Sequence, residues 1–405
     1  MSDISSDYYD SDSDSDLDID IDFRGKVLNN KYIIIHKIGD GTFATVWLAY
    51  NVNNKKYYAI KIQRADESEL AEEEIEFLQT IKKHKHITEL KGNFSYKFDD
   101  DIHICLVFDL LGGSLDDIIK RKHEEGLPIE VIKKIICQLL IAIDATVSIY
   151  ELVHTDIKPE NILIKGIDDK TNKIIKEFES CNFHQLYNKF KKKKKKRNKA
   201  LYIAAEQVIK KMETFELVDD DDFYSINKKY INENIIIQLS DFGSCRKLID
   251  HKDYNIQTRQ FMAPEIIMKT KFNDKCDIWS VGCLLYELLT REVLFMPTKS
   301  RGLSKDRDHL YNIQMALGKI PNDMIDGCPI KKVFFKNNGL LKGIYKIEYN
   351  PLDERIRSFC NKKNINNDDT NNIIDIMYKM FTYDVKKRPS AKRLLKHKWF
   401  TQNKK

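Results

Sequence analysis

The chain has no run of 18 or more apolar residues, so no segment predicts a membrane-spanning helix. Its start, MSDISSDYYD, lacks both the cationic residues and the apolar stretch of a secretory leader. Eight cysteines, at 105, 137, 181, 245, 276, 283, 328 and 360, include no CxxC pair. That pattern speaks against a zinc site and a disulfide framework and fits a reducing compartment. No internal repeat is visible. The basic run at 191–197, KKKKKKR, is not interleaved with the aromatics that a single-stranded nucleic-acid platform uses. What remains is an intracellular, soluble, cytoplasmic protein without a membrane partner.

With 405 residues, 42% of them hydrophobic, the chain can bury two ordinary cores or one large domain with additions. Its formal charge of +6 hides an asymmetry: residues 1–22 hold nine aspartates and no Lys or Arg, leaving +15 on the rest. Residues 1–24 are expected to be a disordered acidic tail. From Lys31 onward, KYIIIHKIGDGTFATVWLAYN reads as strand, glycine turn and strand, and KKYYAIKIQ as a third strand. ESELAEEEIEFLQTIKKH predicts a helix with Leu70, Ile75, Leu78 and Ile81 near one face. IHICLVFDLLGG predicts a buried strand, and a long helix is expected from about Pro128 to Tyr150. Further helices are expected at 277–290 and 371–381. Segment 166–234, with the lysine run and a DDDD at 219–222, shows little clear periodicity and predicts a largely disordered spacer. The basic run inside it is readable as a nuclear-import address or as a solvated loop.

Chemistry concentrates on either side of that spacer. GDGTFATV (39–46) puts glycines between two strands, where backbone N–H groups can cradle phosphate or simply make a hairpin. Lys61, in YAIK, stands on a strand where its ammonium can reach phosphate oxygens, and Glu74 is placed to hold it. HTDIKPENIL (154–163) gathers an acid, a cation and an amide in one loop. Asp156 can accept a hydroxyl proton, Lys158 can neutralise a transferring phosphate and Asn161 can ligate a metal. LSDFGSC supplies Asp241, a hard oxygen ligand suited to Mg²⁺. Asp, Gly, Pro and Asn also make ordinary turns, but the order of all four features is that of the protein kinases.

From Gly25 to Phe400, outside the spacer, the chain resembles a eukaryotic-type Ser/Thr protein kinase and is most similar to the SR-protein kinase family. MAPEI (262–266), CDIWSVGC (276–283), KKRPSA (386–391), IQTRQF and KDRDHLYNIQMALGKIP carry this resemblance, as does the 80-residue separation of Asn161 and Asp241. It implies an α+β, bilobal protein kinase fold: a small antiparallel β-sheet lobe with one helix (25–111) and a larger mainly helical lobe (112–165 and 235–405). It implies transfer of the ATP γ-phosphate to serine or threonine hydroxyls of protein substrates, including Arg/Ser-rich ones, by a monomer that uses Mg²⁺. By the same resemblance ATP meets Ile38, Gly39, Asp40, Gly41, Thr42, Phe43, Ala44 and Val46, with Ala59 and Leu163 enclosing the adenine. Phe108 is the gatekeeper, Asp109 to Leu111 the hinge, and Thr258 bridges Asp156 and Lys158. Asn161 and Asp241 hold the metal, Glu265 pairs with Arg388, and Asp277 anchors the base loop.

The chain departs from the family at Ala44, Phe242 and Met262; by the same resemblance Glu292 and Asp308 match two carboxylates of an acidic substrate-docking groove, and Met315 stands where the family has a third. Thr155 replaces the arginine of the common HRD, which implies activity without an activation-loop phosphate. The alternatives are a general kinase of the wider cyclin-dependent and MAP kinase group, a pseudokinase scaffold, and a nucleic-acid-binding protein resting on the lysine run.

Overall fold

The computed structural model describes residues 21–120, 126–193, 197–213, 231–232, 234–248, 254–298 and 302–401. The acidic tail up to residue 20 lies outside the described residues, as does most of the acidic half of the spacer. The first lobe is one antiparallel sheet of six strands in the order β1-β2-β3-β4-β6-β5. These are β1 (Val27–Leu28), β2 (Tyr32–Asp40), β3 (Ala44–Asn51), β4 (Lys56–Gln63), β5 (Leu90–Phe98) and β6 (Asp101–Asp109). Continuous β-branched and aromatic runs, such as YIII in β2 and WLAY in β3, give this sheet two apolar faces. One carries Leu28, Ile34, Trp47, Ile60, Ile62 and Val107, closed by Phe23, whose ring meets Trp47 edge-on at 5.7 Å. Helix α1 (Ser68–Thr80) buries Ala71, Glu74, Phe77 and Leu78, a spacing that puts them on one side of the helix. Strand β5 has no counterpart among the sequence-predicted elements, although Leu90, Phe94, Tyr96 and Phe98 alternate along it.

The second lobe is built around helix α3 (Ile129–Tyr150), following α2 (Leu115–Ile119) and matching the expected span. Its end is fixed by Glu151 in the left-handed region, whose N–H reaches Thr146 O. The chain then forms β7 (Leu152–Val153) and β8 (Ile162–Ile164), which pair with β10 (Arg246–Lys247) and β9 (Ile237–Leu239). Packed below them, after the short α7 (Pro264–Ile267), is α8 (Lys275–Thr290), whose Trp279 meets Phe381 edge-on at 5.0 Å. Gly282 of the same helix is required there, because a Cβ would lie 2.8 Å from the Phe381 ring.

Residues 169–212 correct the expectation of a largely disordered spacer. They form α4 (Asp169–Ser180), α5 (Phe183–Lys193) and α6 (Arg197–Met212). Asp168 caps α4 by accepting Thr171 N–H at 2.7 Å. Ile174, Ile175 and Phe178 of α4, with Leu201, Ala204, Ala205 and Val208 of α6, cover Ile33, Ile35, Leu48 and Tyr50 on the second face of the sheet. The alanines allow close approach, and each larger side chain so buried stabilises by roughly 1.5–3 kcal/mol. Polar contacts fix the register: Tyr57 Oη donates to Glu179 at 3.2 Å, and Tyr50 Oη lies 2.8 Å from His184 Nε2. These helices, which lie between β8 and β9 of the second lobe in the chain, thus dock on the first lobe.

Candidate active site

Lys61 sits in mid-β4 between Val46 of β3 and Leu106 of β6. Its neighbours Ile60 and Ile62 are buried on the opposite face, so the pleat turns Lys61 toward the cleft between the lobes. Its Nζ is 2.8 Å from Glu74 Oε2 and 2.9 Å from Asp241 Oδ1. Gln63 Nε2 donates a second bond to Glu74 at 3.3 Å. Burial alone would lower the Lys61 ammonium, but the charges of Glu74 and Asp241 outweigh it and hold the group cationic. Burial raises the Glu74 carboxyl, with Lys61 opposing. Asp241 stays below the ordinary carboxylate range despite burial, chiefly through the charge of Lys61. It occupies the left-handed region at φ 61°, which aims its side chain out of the loop.

The base loop is anchored from beneath. Asp277, fully buried on α8, accepts His154 N–H at 2.8 Å and Thr155 N–H at 2.9 Å. Burial pushes its carboxyl up to about 7 against those two donations. Thr155, at φ 65°, donates its hydroxyl to Ser244 O at 2.5 Å, and His154 Nε2 lies 3.0 Å from Ser240 O. The loop is thereby tied to both ends of the Asp241 turn.

Asp156 is held on both oxygens. Oδ1 accepts the Thr258 hydroxyl at 2.7 Å and its N–H at 3.3 Å. Oδ2 accepts Lys158 Nζ at 2.7 Å and Asn161 Nδ2 at 3.0 Å. Lys158 also donates to Thr258 Oγ1 at 3.2 Å, so the threonine bridges base and cation as expected. Both donations of Asn161 go to Asp156, to its carboxylate and to its carbonyl at 2.8 Å. The amide oxygen is therefore the end left to act as a ligand.

Gln257, which the sequence reading does not single out, holds Thr258 in place. At φ 68° it donates to Cys276 O and Ser280 Oγ at 3.0 and 2.9 Å and accepts Ala263 N–H at 2.9 Å.

On the nucleotide side, β2 and β3 pair Gly39 with Val46 and Asp40 with Thr45, and Gly41 N–H closes the turn on Ala44 O at 3.0 Å. Ile38 completes the loop's base, while Thr42 is exposed and Phe43 half-exposed at its tip. Ala59 is opposite Phe108 across β4 and β6, and Asp109 ends β6 in an ion pair with Lys91 at 3.0 Å. Leu111 follows, and Gly112 N–H reaches Ile164 O at 2.8 Å, next to Leu163 on β8. The Glu265–Arg388 pair is fully buried and bidentate, at 2.6 and 3.0 Å. Asp308, which by resemblance matches a docking-groove carboxylate, is buried and accepts Thr298 N–H at 2.6 Å.

A second charge cluster, absent from the sequence reading, lies beside the base loop. Burial, then Glu160 and Asp116, push Glu287 up to about 7, and its Oε2 has no partner among the described residues. Glu160 is likewise raised, mainly by burial, with Asp116 adding to it. Lys120, 2.7 Å from Asp116, balances the group only in part.

Comparison with known proteins was consistent with this geometry. The family model of the protein kinase domain matches residues 32–226 and 223–400. "Serine/threonine-protein kinase SRPK" of Physarum polycephalum is 29% identical over 92% of this chain and 86% of its own length. "Protein kinase dsk1" of Schizosaccharomyces pombe is 26% identical, covering 92% and 81%. "Putative serine/threonine-protein kinase L205" of Acanthamoeba polyphaga mimivirus is 25% identical, covering 93% and 88%.

Proposed function

Because the chain belongs to the protein kinase family, and its relatives are named Ser/Thr kinases, we propose that the residues above carry ATP-dependent phosphorylation of serine and threonine in proteins with basic flanking sequence. The observation that carries the reading is the joint presence of the Lys61–Glu74–Asp241 network and the Asp156–Lys158–Thr258 bridge. A scaffold that had lost catalysis would have no need to hold both.

The donor set fits Mg²⁺. Asp241 offers a carboxylate and Asn161 an amide oxygen, both hard ligands, and no cluster of three His, Cys, Asp or Glu able to hold a metal occurs among the described residues. Two protein ligands completed by phosphate oxygens and water are what Mg²⁺ takes in such sites. When bound, the ion offsets charge on the phosphates. Lys61, kept cationic by its two carboxylates, binds the α- and β-phosphates, and the β2–β3 turn covers them. Ala59 and Leu163 enclose the adenine, with Phe108 behind it and the backbone of 109–111 bonding its edge.

Asp156 orients the substrate hydroxyl and takes its proton. Lys158, already bonded to Asp156 and Thr258, meets the charge on the transferred phosphoryl group. Positioning and electrostatics supply most of the acceleration in this chemistry. A basic substrate residue beside the phosphoacceptor would relieve the mutual repulsion of Asp116, Glu160 and Glu287, which is the structural support for Arg/Ser-rich substrates. The site is assembled within one chain, so the reading needs no second copy to complete it.

Asp156→Asn is expected to cut phosphate transfer about 10³-fold or more while leaving ATP binding within about twofold; undiminished turnover overturns the assignment. An arrayed peptide screen should show arginine-flanked serines preferred. Glu160→Gln with Glu287→Gln should erode that preference, and an unchanged profile would reject the basic-flank reading.

A further inference from the structure

The basic run at 191–197 lies partly outside the described residues. A cationic recess lined by described residues opens in the second lobe, where the start of α8 meets the turn 386–393. Its volume is about 530 Å³, within the range of small-ligand sites. Lys275, Lys386, Lys387, Arg388 and Arg393 line it with Ser390, and no carboxylate among the described residues does. None of them belongs to the nucleotide site or the base loop.

The fold fixes two of these cations. Arg388 forms the wall, its buried guanidinium bonded to Glu265 and to Lys275 O at 2.9 Å. Lys275 Nζ donates to Val385 O at 3.2 Å and Lys386 O at 3.3 Å. Carbonyls rather than an ion pair thus hold it in place, and its third proton is left to donate. Lys387 lies 3.4 Å from Asp384 in an exposed pair, a contact that contributes little. Lys386 and Arg393 are exposed and make no ion pair among the described residues. Ser390 Oγ accepts Arg393 N–H at 3.4 Å, which leaves the hydroxyl proton to donate.

The end of the helix adds to this positive field. Lys275 is the first of the 16 residues of α8, where the helix dipole is already positive and a cation is disfavoured. Asp274 makes no side-chain capping bond there, and Asp277, the acidic residue of the first turn, is committed to the base loop. Like charges and unused donors therefore converge on one recess, an arrangement that is unfavourable until an anion fills it.

We propose that this recess binds a phosphate monoester, whose charge is shared among Lys275, Lys386, Arg393 and the Ser390 hydroxyl. Such a group brings nearly two negative charges and three acceptor oxygens to these donors. Because Arg388 is both the wall and the partner of Glu265 on α7, an occupied recess also braces the junction of α7 with α8.

The test is isothermal titration calorimetry on the full chain with inorganic phosphate, inositol hexakisphosphate, and a phosphoserine peptide beside its unphosphorylated form. At least one phosphate-bearing probe should bind saturably with a Kd below about 100 µM at about 0.1 M salt. Lys386→Ala with Arg393→Ala removes two charge-assisted donors and should weaken that binding about tenfold or more. Both side chains are exposed, so the melting temperature of the double variant should stay within about 2 °C of the parent. Phosphate held at the nucleotide site would not respond to this variant. Tightest binding of the phosphopeptide supports the proposal with a protein-borne phosphate, and tightest binding of the hexakisphosphate supports it with a free one. No saturable binding, equal binding of the unphosphorylated peptide, or an affinity unchanged in the double variant would each overturn it.

Discussion

Thr155 shows how one side chain changes what a kinase loop needs. In place of a cation that calls for a phosphate, a buried hydroxyl donates to Ser244 O and pins the Asp241 turn directly. Apart from Thr258, Ser244 and Tyr254 are the only hydroxyl-bearing residues between Asp241 and Arg259. The double variant Ser244→Ala, Tyr254→Phe should therefore keep kcat within about twofold, measured with phosphatase-treated protein as reference. A loss of tenfold or more would show that a modified activation segment is required.

Glu287 gives a pH signature at the same scale. Its folded-state pKa is raised to about 7, so the folded state favours the protonated acid. Ionising it therefore removes stability as pH rises from the ordinary carboxylate range through about 7. Glu287→Gln mimics the protonated form, so its Tm should match the wild type near pH 4 and exceed it by about 2 °C at pH 8. The site is partly open to solvent, which keeps the effect small. A gap that closes with rising pH would contradict the assignment.

At the scale of elements, legibility followed the strength of periodicity. Strands β2, β3, β4 and β6 and helices α1, α3 and α8 stand close to their expected spans because α1 and α3 carry a strong apolar face, while α8 and the strands are apolar over most of their length. Strand β5 was hidden by the lysines and asparagine on its outward face and by Gly92 at an inward position, although its alternation is complete. Helices α4 to α6 were hidden by charge. FHQLYNKF and KALYIAAEQVI do carry helical spacing, but the adjoining lysines dominate any reading by composition.

The site residues Lys61, Glu74, Asp156, Lys158, Asn161 and Asp241 were legible because their motifs are local. Gln257 and the Asp116–Glu160–Glu287 cluster were not, since their meaning depends on contacts across the fold. The Glu265–Arg388 pair joins residues 123 apart and was legible only through family resemblance. Its guanidinium also stacks on Trp279 at 5.1 Å and donates to Thr382 O. Arg388→Ala strands a buried carboxylate and should cost about 3–5 kcal/mol, seen as a Tm lowered by roughly 10 °C. An unchanged melting curve would mean that the pair contributes no net stability.

For the molecule as a whole, α4 to α6 act as a strap from the second lobe onto the first. They follow β8 in the chain, bury the outer face of β2 and β3, and precede β9. Lobe closure is what brings Lys61 on one side to Asp241 on the other, and their 2.9 Å contact is made across that boundary. Loosening the strap should therefore act on nucleotide capture before it acts on chemistry. Leu201→Ala with Val208→Ala removes apolar contact from the face of α6 that rests on the sheet, at about 2–5 kcal/mol for the leucine alone. Neither residue touches the site, so the chemical step should survive in the molecules that remain folded. The expected outcome is a KM for ATP raised about threefold or more with kcat changed less than twofold, together with faster amide exchange in β2 and β3. If KM stays fixed while the melting temperature falls, the helices serve stability alone and the lobes close without them.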